Sequence, residues 1–567
     1  MRWNQIFCFS FLTLLVITGC STPSGSSVAY DVIIRGGTVY DGTGGPGTNA
    51  DVGIRGDRVV HIRDLKGAQA ETEIDASGLA VSPGFINYLS WSTESLIADG
   101  RSQGEIRQGV TTQIMGEGSS MGPLTEAMKK ANKQRQILVT FDYEWTTLAE
   151  YLQWLQKRGV SQNVASFIGA TTVRIHVLGH EDRAPSTAEL NEMRALVRAA
   201  MEEGALGVAS SLVYAPAFYA STDELNALCE VVAEYDGLYA THLRSEGNQF
   251  LEAIDELLTI NKRSGVRSHI YHLKAMGRDN WHKLDAALQK VEAARAEKRD
   301  VTADIYTYTA AATGLVACLP PWALESGYDE LWKRLSDPKT RARIAAEVRT
   351  GGSDWENFYR AAHNPENILI VRCQQQRNRV LHGQTLAAIA AARNQDPVDT
   401  IIDLLLDDRS RIGAVYFVMS EENLSRKLQV DWVSFCSDGA SMATESPFLK
   451  ISTHPRSYGS FARLLGKYVR EKNIVPLSDA IHRLTDLPAR TLRLTDRGRL
   501  EPGYYADVVV FDPNTIADRA TFADPHQYAV GVFHVWVNGV QVLRDGEHTG
   551  ALPGRALWGP GKKERCK

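Results

Sequence analysis

This 567-residue sequence lacks four things, and each absence removes a class of protein. It has seven cysteines but no Cys-x-x-Cys pair, and Cys229, Cys318, Cys373, Cys436 and Cys566 lie far apart. No disulfide framework is indicated, and a chain of this size can rely on a hydrophobic core instead. Long runs of one sign of charge are missing too: 62 basic and 67 acidic residues are interspersed, for a net charge of -5. That excludes a phosphate-tracking surface and an acidic tail, and with them any sign of a nucleic-acid partner. No apolar run reaches the roughly 20 residues needed to span a bilayer. No internal repeat of about 20 to 50 residues is visible, which sets solenoids and propellers aside. What remains, 44% hydrophobic and 23% charged, is a globular composition long enough for a large domain and a smaller second one.

The N-terminus departs from that average. Arg2 is followed by an apolar stretch from Ile6 to Ile17 and then by Thr18-Gly19-Cys20, a pattern too short to span and typical of an export signal. Ile17-Thr18-Gly19-Cys20 resembles a bacterial lipobox. The resemblance implies that residues 1–19 are removed, that Cys20 is acylated, and that 20–29, rich in Ser, Pro and Gly, form a tether. A plain signal peptide cut nearby is the other reading. With Ser21 rather than an acid after the cysteine, the expected address in a two-membrane host is the outer membrane, facing the periplasm.

Residues 30–80 alternate in short strands, as in Asp31-Val32-Ile33-Ile34-Arg35 before Gly36-Gly37. A similar signature returns in 496–567, in Ala506-Asp507-Val508-Val509-Val510-Phe511 and His534-Val535-Trp536-Val537. The two ends are expected to pair into one small β-sandwich domain. Between them the period changes to strand, loop, helix, the mark of parallel βα units. Ala205 to Val213 is an apolar strand; Ser221-Thr222-Asp223-Glu224 has the form of a capping box opening a helix through Leu225, Leu228 and Val232. Further strands are expected at 238–241, 268–274 and 300–306. The fold class is therefore α/β, a TIM (β/α)8 barrel over about 81–495 with an insertion after a late strand, at about 309–367, as a lid or cap.

In such a barrel, catalytic groups sit where strands end. Four polar residues follow apolar strand patterns: Glu117 after Val110 to Gly116, His242 after Tyr239-Ala240-Thr241, His272 after Ser268 to Tyr271, and Asp438 after Trp432 to Ser437. Singly, such a histidine is more often a hydrogen-bonded rim residue and such an acid a helix cap. Together they point to a metal site. Zinc takes carboxylate oxygen and imidazole nitrogen, and a catalytic site keeps a position for water, whose proton a nearby carboxylate removes.

Longer strings accompany these four residues: Ser82-Pro83-Gly84-Phe85-Ile86, Ile106 to Thr112, Ala240 to Gly247, His272-Leu273-Lys274, Ser437-Asp438-Gly439, His454-Pro455-Arg456-Ser457-Tyr458-Gly459 and Asp524-Pro525-His526-Gln527-Tyr528. Through them nearly the whole mature chain resembles the N-acyl-D-amino-acid deacylases (D-aminoacylases) of the amidohydrolase superfamily. The resemblance implies hydrolysis of N-acyl-D-amino acids, or of dipeptides with a C-terminal D-residue, to a carboxylate and a free D-amino acid. It makes His242 and His272 zinc ligands, Asp438 the general base, and Lys274 and Arg456 the cations that hold the substrate's α-carboxylate. On residue type alone, Lys274 fits a snorkelling side chain and Arg456 a surface salt bridge. Tyr214 and Tyr306 fit either donors to the substrate or buried packing.

Two departures matter. Where the superfamily continues with Asp-x-His-x-His, this chain has Asn87-Tyr88-Leu89-Ser90-Trp91, and neither Leu89 nor Trp91 can coordinate zinc. Where the well-known deacylases carry a cysteine ligand, it has Glu117, which resembles the Glu, His, His set of N-acetylglucosamine-6-phosphate deacetylases. The expectation is one zinc per chain, on Glu117, His242 and His272. A cyclic-amide hydrolase and a non-catalytic binding lipoprotein are the alternatives; Asp438 speaks against the second, since a binder needs no general base.

Overall fold

The computed structural model describes Met1 and residues 30–351 and 354–563; Cys20 and the signal segment lie outside the described residues. Both chain ends enter one nine-stranded sheet. Tyr30–Val39 pairs antiparallel with Thr48–Arg55, and parallel with Ala70–Asp75 along its first half and with Ala80–Pro83 along its second. Ala80–Pro83 then pairs antiparallel with Val508–Phe511, which is followed by Val532–Val537 and Val540–Arg544. Alternation explains the packing. Val32, Ile34, Val52 and Ile54 from one end meet Val508, Val510 and Trp536 from the other in one buried cluster. Each such side chain contributes about 1.5 to 3 kcal/mol by leaving water.

Between the ends run short parallel strands, buried on both faces as parallel strands under helices must be. Phe85–Asn87, Val110–Met115 and Asn163–Ser166 pair in that order. Ile168–Gly169, Gly207–Ser211, Leu238–His242, Arg267–Ile270, Val301–Ile305 and Val433–Phe435 form a second run. Phe167 N donates to Met115 O at 2.9 Å where the runs adjoin. At the far side Ser90 forms a parallel bridge with Gly439. Among the described residues no helix is long and apolar enough to cross a membrane.

Local details depart from the sequence pattern for identifiable reasons. Ser221 caps the helix Thr222–Ala233 by accepting from Glu224 N, but the reciprocal half of the capping box is missing, because the Glu224 carboxylate accepts instead from buried Arg174 Nη1 at 2.6 Å. The strand expected over 268–274 stops at Ile270. There the Asp304 carboxylate accepts from His272 N at 2.6 Å and the chain turns through φ 33° at His272.

The segment between Val301–Ile305 and Val433–Phe435 contains a three-stranded antiparallel sheet of Ala311–Gly314, Gly413–Tyr416 and Ile368–Arg372, with helices that include Pro338–Thr350 and Pro397–Asp408. The insertion expected at about 309–367 lies within this longer excursion.

The first and last parallel strands are fastened by a buried carboxyl. Glu105 Oε1 accepts from Asn87 Nδ2 at 2.7 Å and from Ser437 Oγ at 3.1 Å, while Asn87 Oδ1 accepts from Ser437 N at 2.9 Å. Burial pushes the Glu105 pKa up to about 8, against the lowering effect of its Ser437 and Asn87 hydrogen bonds. Glu356 is raised to about 8 by burial and by the neighbouring Glu246. A carboxyl that keeps its proton longer in the folded state stabilises the fold most at low pH, and that contribution is lost as pH rises from the unfolded to the folded pKa. Stability should therefore fall between about pH 5 and 8, by at most about 4 kcal/mol per group. Glu105→Gln should flatten that fall in thermal melts; an unchanged pH profile would show that Glu105 is ionised in the fold.

Candidate metal centre

Strand ends and tight turns bring the site together. Glu117 follows Val110–Met115 through Gly116, whose φ of 107° and closeness to Phe167 O leave no room for a side chain. His242 ends its own strand. His272 and Asp438 both take left-handed backbone conformations, φ 33° and 46°, unusual away from glycine and typical of functional turns.

Glu117 Oε1 lies 3.1 Å from His242 Nδ1 and 3.1 Å from His272 Nε2, and the three ligand atoms all fall within 4.8 Å of one another. All three residues are buried. Two ligand atoms each about 2.0–2.1 Å from a tetrahedral zinc stand about 3.3 Å apart, so this donor set fits one such ion.

The outward-facing nitrogens meet a second carboxylate. His272 Nδ1 is 3.1 Å from Glu246 Oε1, and His242 Nε2 is 3.5 Å from Glu246 Oε2 without a hydrogen bond. His272 turns Nε2 toward Glu117, so as a ligand it carries its proton on Nδ1, beside Glu246; His242 is turned the other way, with Nδ1 toward Glu117 and Nε2 toward Glu246. Lys274 Nζ balances Glu246 at 2.5 Å and also contacts His272 Nδ1 at 2.7 Å and donates to His272 O at 3.1 Å. Burial works to raise the Glu246 pKa, but Lys274 and the two histidines hold it well below the usual carboxylate range. Burial likewise opposes ionisation of Glu117, and hydrogen bonds from His242 and His272 overcome it.

Asp438 stands beside this cluster. Its Oδ1 accepts from Trp91 Nε1 at 3.1 Å, and its Oδ2 is 2.6 Å from Arg456 Nη1, an ion pair by distance though not aligned as a hydrogen bond. Burial raises its pKa, and Arg456 pulls it back. Leu89, at the first of the two positions where the superfamily has histidines, is fully buried. Arg456 Nη2 donates to Ala312 O at 3.4 Å. The Tyr306 ring lies under both cations, 4.7 Å from Arg456 Cζ and 5.9 Å from Lys274 Nζ, while its hydroxyl faces Met419 Sδ at 3.4 Å. The Tyr214 ring packs edge-on to His242 with centroids 5.3 Å apart. The structure thus gathers Glu117, His242, His272, Asp438, Lys274, Arg456, Tyr214 and Tyr306 in one place.

Three contributors escaped the sequence reading. Glu246 is four residues beyond His242, a spacing that could have flagged it. Asp304 holds the His272 turn and also accepts from buried His269 at 3.0 Å, with Tyr88 stacked on His269 at 3.8 Å. Trp91 cannot coordinate a metal, but its indole N–H serves Asp438, a role that its residue type alone does not reveal.

A metal-fitting Glu, His, His set at the ends of parallel strands, with a buried aspartate beside it, is what a metal-dependent hydrolase needs. The Amidohydrolase family profile matches residues 72–543, and the chain belongs to that family. Within it the chain belongs with the D-aminoacylases and N-acyl-D-amino-acid deacylases. It is 34% identical to D-aminoacylase of Alcaligenes xylosoxydans xylosoxydans, over 94% of this chain and 98% of that one. It is 33% identical to N-acyl-D-glutamate deacylase of the same organism, over 93% and 96%. A D-aminoacylase structure described for one-metal activation and second-metal attenuation of a binuclear center superposes with a TM-score of 0.78 at 33% identity, covering 93% of this chain and 99% of that one. N-acyl-D-glutamate deacylase from Bordetella bronchiseptica, complexed with zinc and a phosphonate mimic of the tetrahedral intermediate, gives 0.76 at 30%, with the same coverages. These likenesses establish the α/β amidohydrolase fold.

If Glu246 orients His272, Glu246→Gln should weaken metal binding by about tenfold to a hundredfold while the protein stays folded. Competition with a chelator measures this; undiminished affinity would reduce Glu246 to a partner of Lys274.

Proposed function

We propose that this protein hydrolyses the amide bond of N-acyl-D-amino acids, or of dipeptides with a C-terminal D-residue, releasing a free D-amino acid. The observation that carries the reading is the convergence of Glu117, His242 and His272 beside Asp438; D-selectivity is supported by the relatives. One zinc ion is proposed on those three residues, and when bound it supplies a Lewis acid for the amide carbonyl and lowers the pKa of water. Asp438 takes the water's proton and returns it to the leaving nitrogen. Trp91 Nε1 aims one carboxylate oxygen, and Arg456 opposes the rise in pKa that burial imposes on the group. Arg456 is proposed to hold the substrate's α-carboxylate. Lys274, with its contacts to Glu246 and His272, supplies positive charge beside it.

The proposed scaffold is a closed (β/α)8 barrel in which Asn163–Ser166 and Ile168–Gly169 act as one broken strand. The two parallel runs and the Ser90–Gly439 bridge support closure. The nine-stranded sheet is proposed to fold over its shared core as the β-sandwich domain, and the excursion carrying the three-stranded sheet to serve as the cap. A crystal structure with Phe85–Asn87 and Val433–Phe435 apart would contradict closure.

Asp438→Asn should keep the metal and lose at least about a hundredfold in kcat on N-acetyl-D-amino acids, as for loss of a positioned base. The wild type should hydrolyse the D- and not the L-members of such a panel. An active Asp438→Asn enzyme, or no turnover of any N-acyl amino acid by the zinc-loaded wild type, would refute the reading. Export and lipidation at Cys20 are proposed on Ile17-Thr18-Gly19-Cys20 alone; the wild type should fractionate with membranes, and equal solubility of Cys20→Ala would count against it.

A further inference from the structure

The small antiparallel sheet of the excursion carries two arginines that the mechanism does not use. Arg372 ends the strand Ile368–Arg372, and Arg411 precedes Gly413–Tyr416 by two residues. Both side chains are exposed, and neither guanidinium has a hydrogen-bond or ion-pair partner among the described residues. Crowded arginines elsewhere in the protein are paired: Arg174 with Glu224, Arg244 with Glu256, Arg267 with Asp300.

The two arginines stand on the site's own side of that sheet. Arg411 Cζ lies 5.8 Å from the centroid of Tyr214, the ring that packs against His242. Ala312, whose carbonyl accepts from Arg456, belongs to the strand that pairs with Gly413–Tyr416. Glycines make the space. Gly413 pairs with both Gly314 and Arg372; a Cβ on Gly413 would come within 2.8 Å of Arg372 Cβ, and one on Gly314 within 3.1 Å of Arg411 Nε. Although Arg372 is reached by solvent, enough protein surrounds it that lost hydration lowers its pKa; Glu94, beyond ion-pair distance, opposes this and Arg411 adds to it. One distant carboxylate does not neutralise two guanidinium groups.

We infer that Arg372 and Arg411 form an anion subsite on the Tyr214 side of the metal centre, for a second carboxylate on the substrate. The inference rests on the deacylase reading and narrows it. A planar, permanently charged fork selects a carboxylate over an uncharged amide of the same shape. The second carboxylate has two sources, the D-amino acid's side chain or a dicarboxylic acyl group, and each has its own test pair.

The experiment compares kcat/KM of the zinc-loaded full chain for N-acetyl-D-glutamate against N-acetyl-D-glutamine, and for N-succinyl-D-leucine against its terminal amide. In at least one pair the acid should lead by tenfold or more, and that pair identifies the source. Arg411→Met and Arg372→Met should each cut that acid-to-amide ratio by at least tenfold, with zinc content confirming an intact site. Acid and amide within twofold in both pairs, or ratios unmoved in both variants, would overturn the subsite. N-acetyl-D-leucine is the separate control for the deacylase reading. If nothing is turned over, that reading fails, and the same ratios are taken as Kd by calorimetry on the zinc-loaded protein. There, tighter binding of an acid that is lost in Arg411→Met supports the subsite, and equal or absent binding overturns it.

Discussion

One oxygen of Glu117, shared at 3.1 Å by a nitrogen from each of two histidines, is the contact around which the rest of the site is arranged. A carboxylate this deeply buried cannot stay ionised without cations or hydrogen-bond donors around it. The histidines supply these on one side, and their other nitrogens face Glu246, which in turn needs Lys274. Asp438 is matched in the same way by Arg456. Three buried carboxylates therefore face two cationic side chains. A divalent ion more than makes up the difference, and the pocket it leaves is positive, suited to a substrate that is itself a carboxylate.

Much of this was legible in the sequence because strand-end chemistry is local. Glu117, His242, His272 and Asp438 each follow an apolar run, and apolar runs in a buried parallel sheet are easily seen. What was not legible depended on partners distant in sequence. Strand Arg267–Ile270 ends early because Asp304, more than thirty residues on, captures the His272 N–H. The Ser221 cap lost its reciprocal bond to a buried arginine fifty residues before Glu224. Arg372 and Arg411 sit in an excursion whose antiparallel pairing no short-range pattern announces, and that pairing sets Arg372 opposite Gly413, two residues from the Arg411 that lies over Tyr214.

The chain's departures from its superfamily form one coherent change. Asn87, in place of an acid, fastens the last strand through Ser437 and shares Glu105 with it. Leu89 fills core, and Trp91, in place of a second histidine, donates its indole N–H to Asp438. The Asp438 carboxylate is held by protein groups, by the Trp91 hydrogen bond on one oxygen and the Arg456 ion pair on the other. Such groups are part of the chain and cannot be lost to a chelator.

The central claim is that one metal, with these donors, makes a complete site. Titration of metal-free protein with zinc, following bound metal and hydrolysis together, tests it most directly. The account predicts that both saturate at one ion per chain, as three protein ligands and one open position require. Tight binding of two ions, or activity that waits for the second, would contradict it.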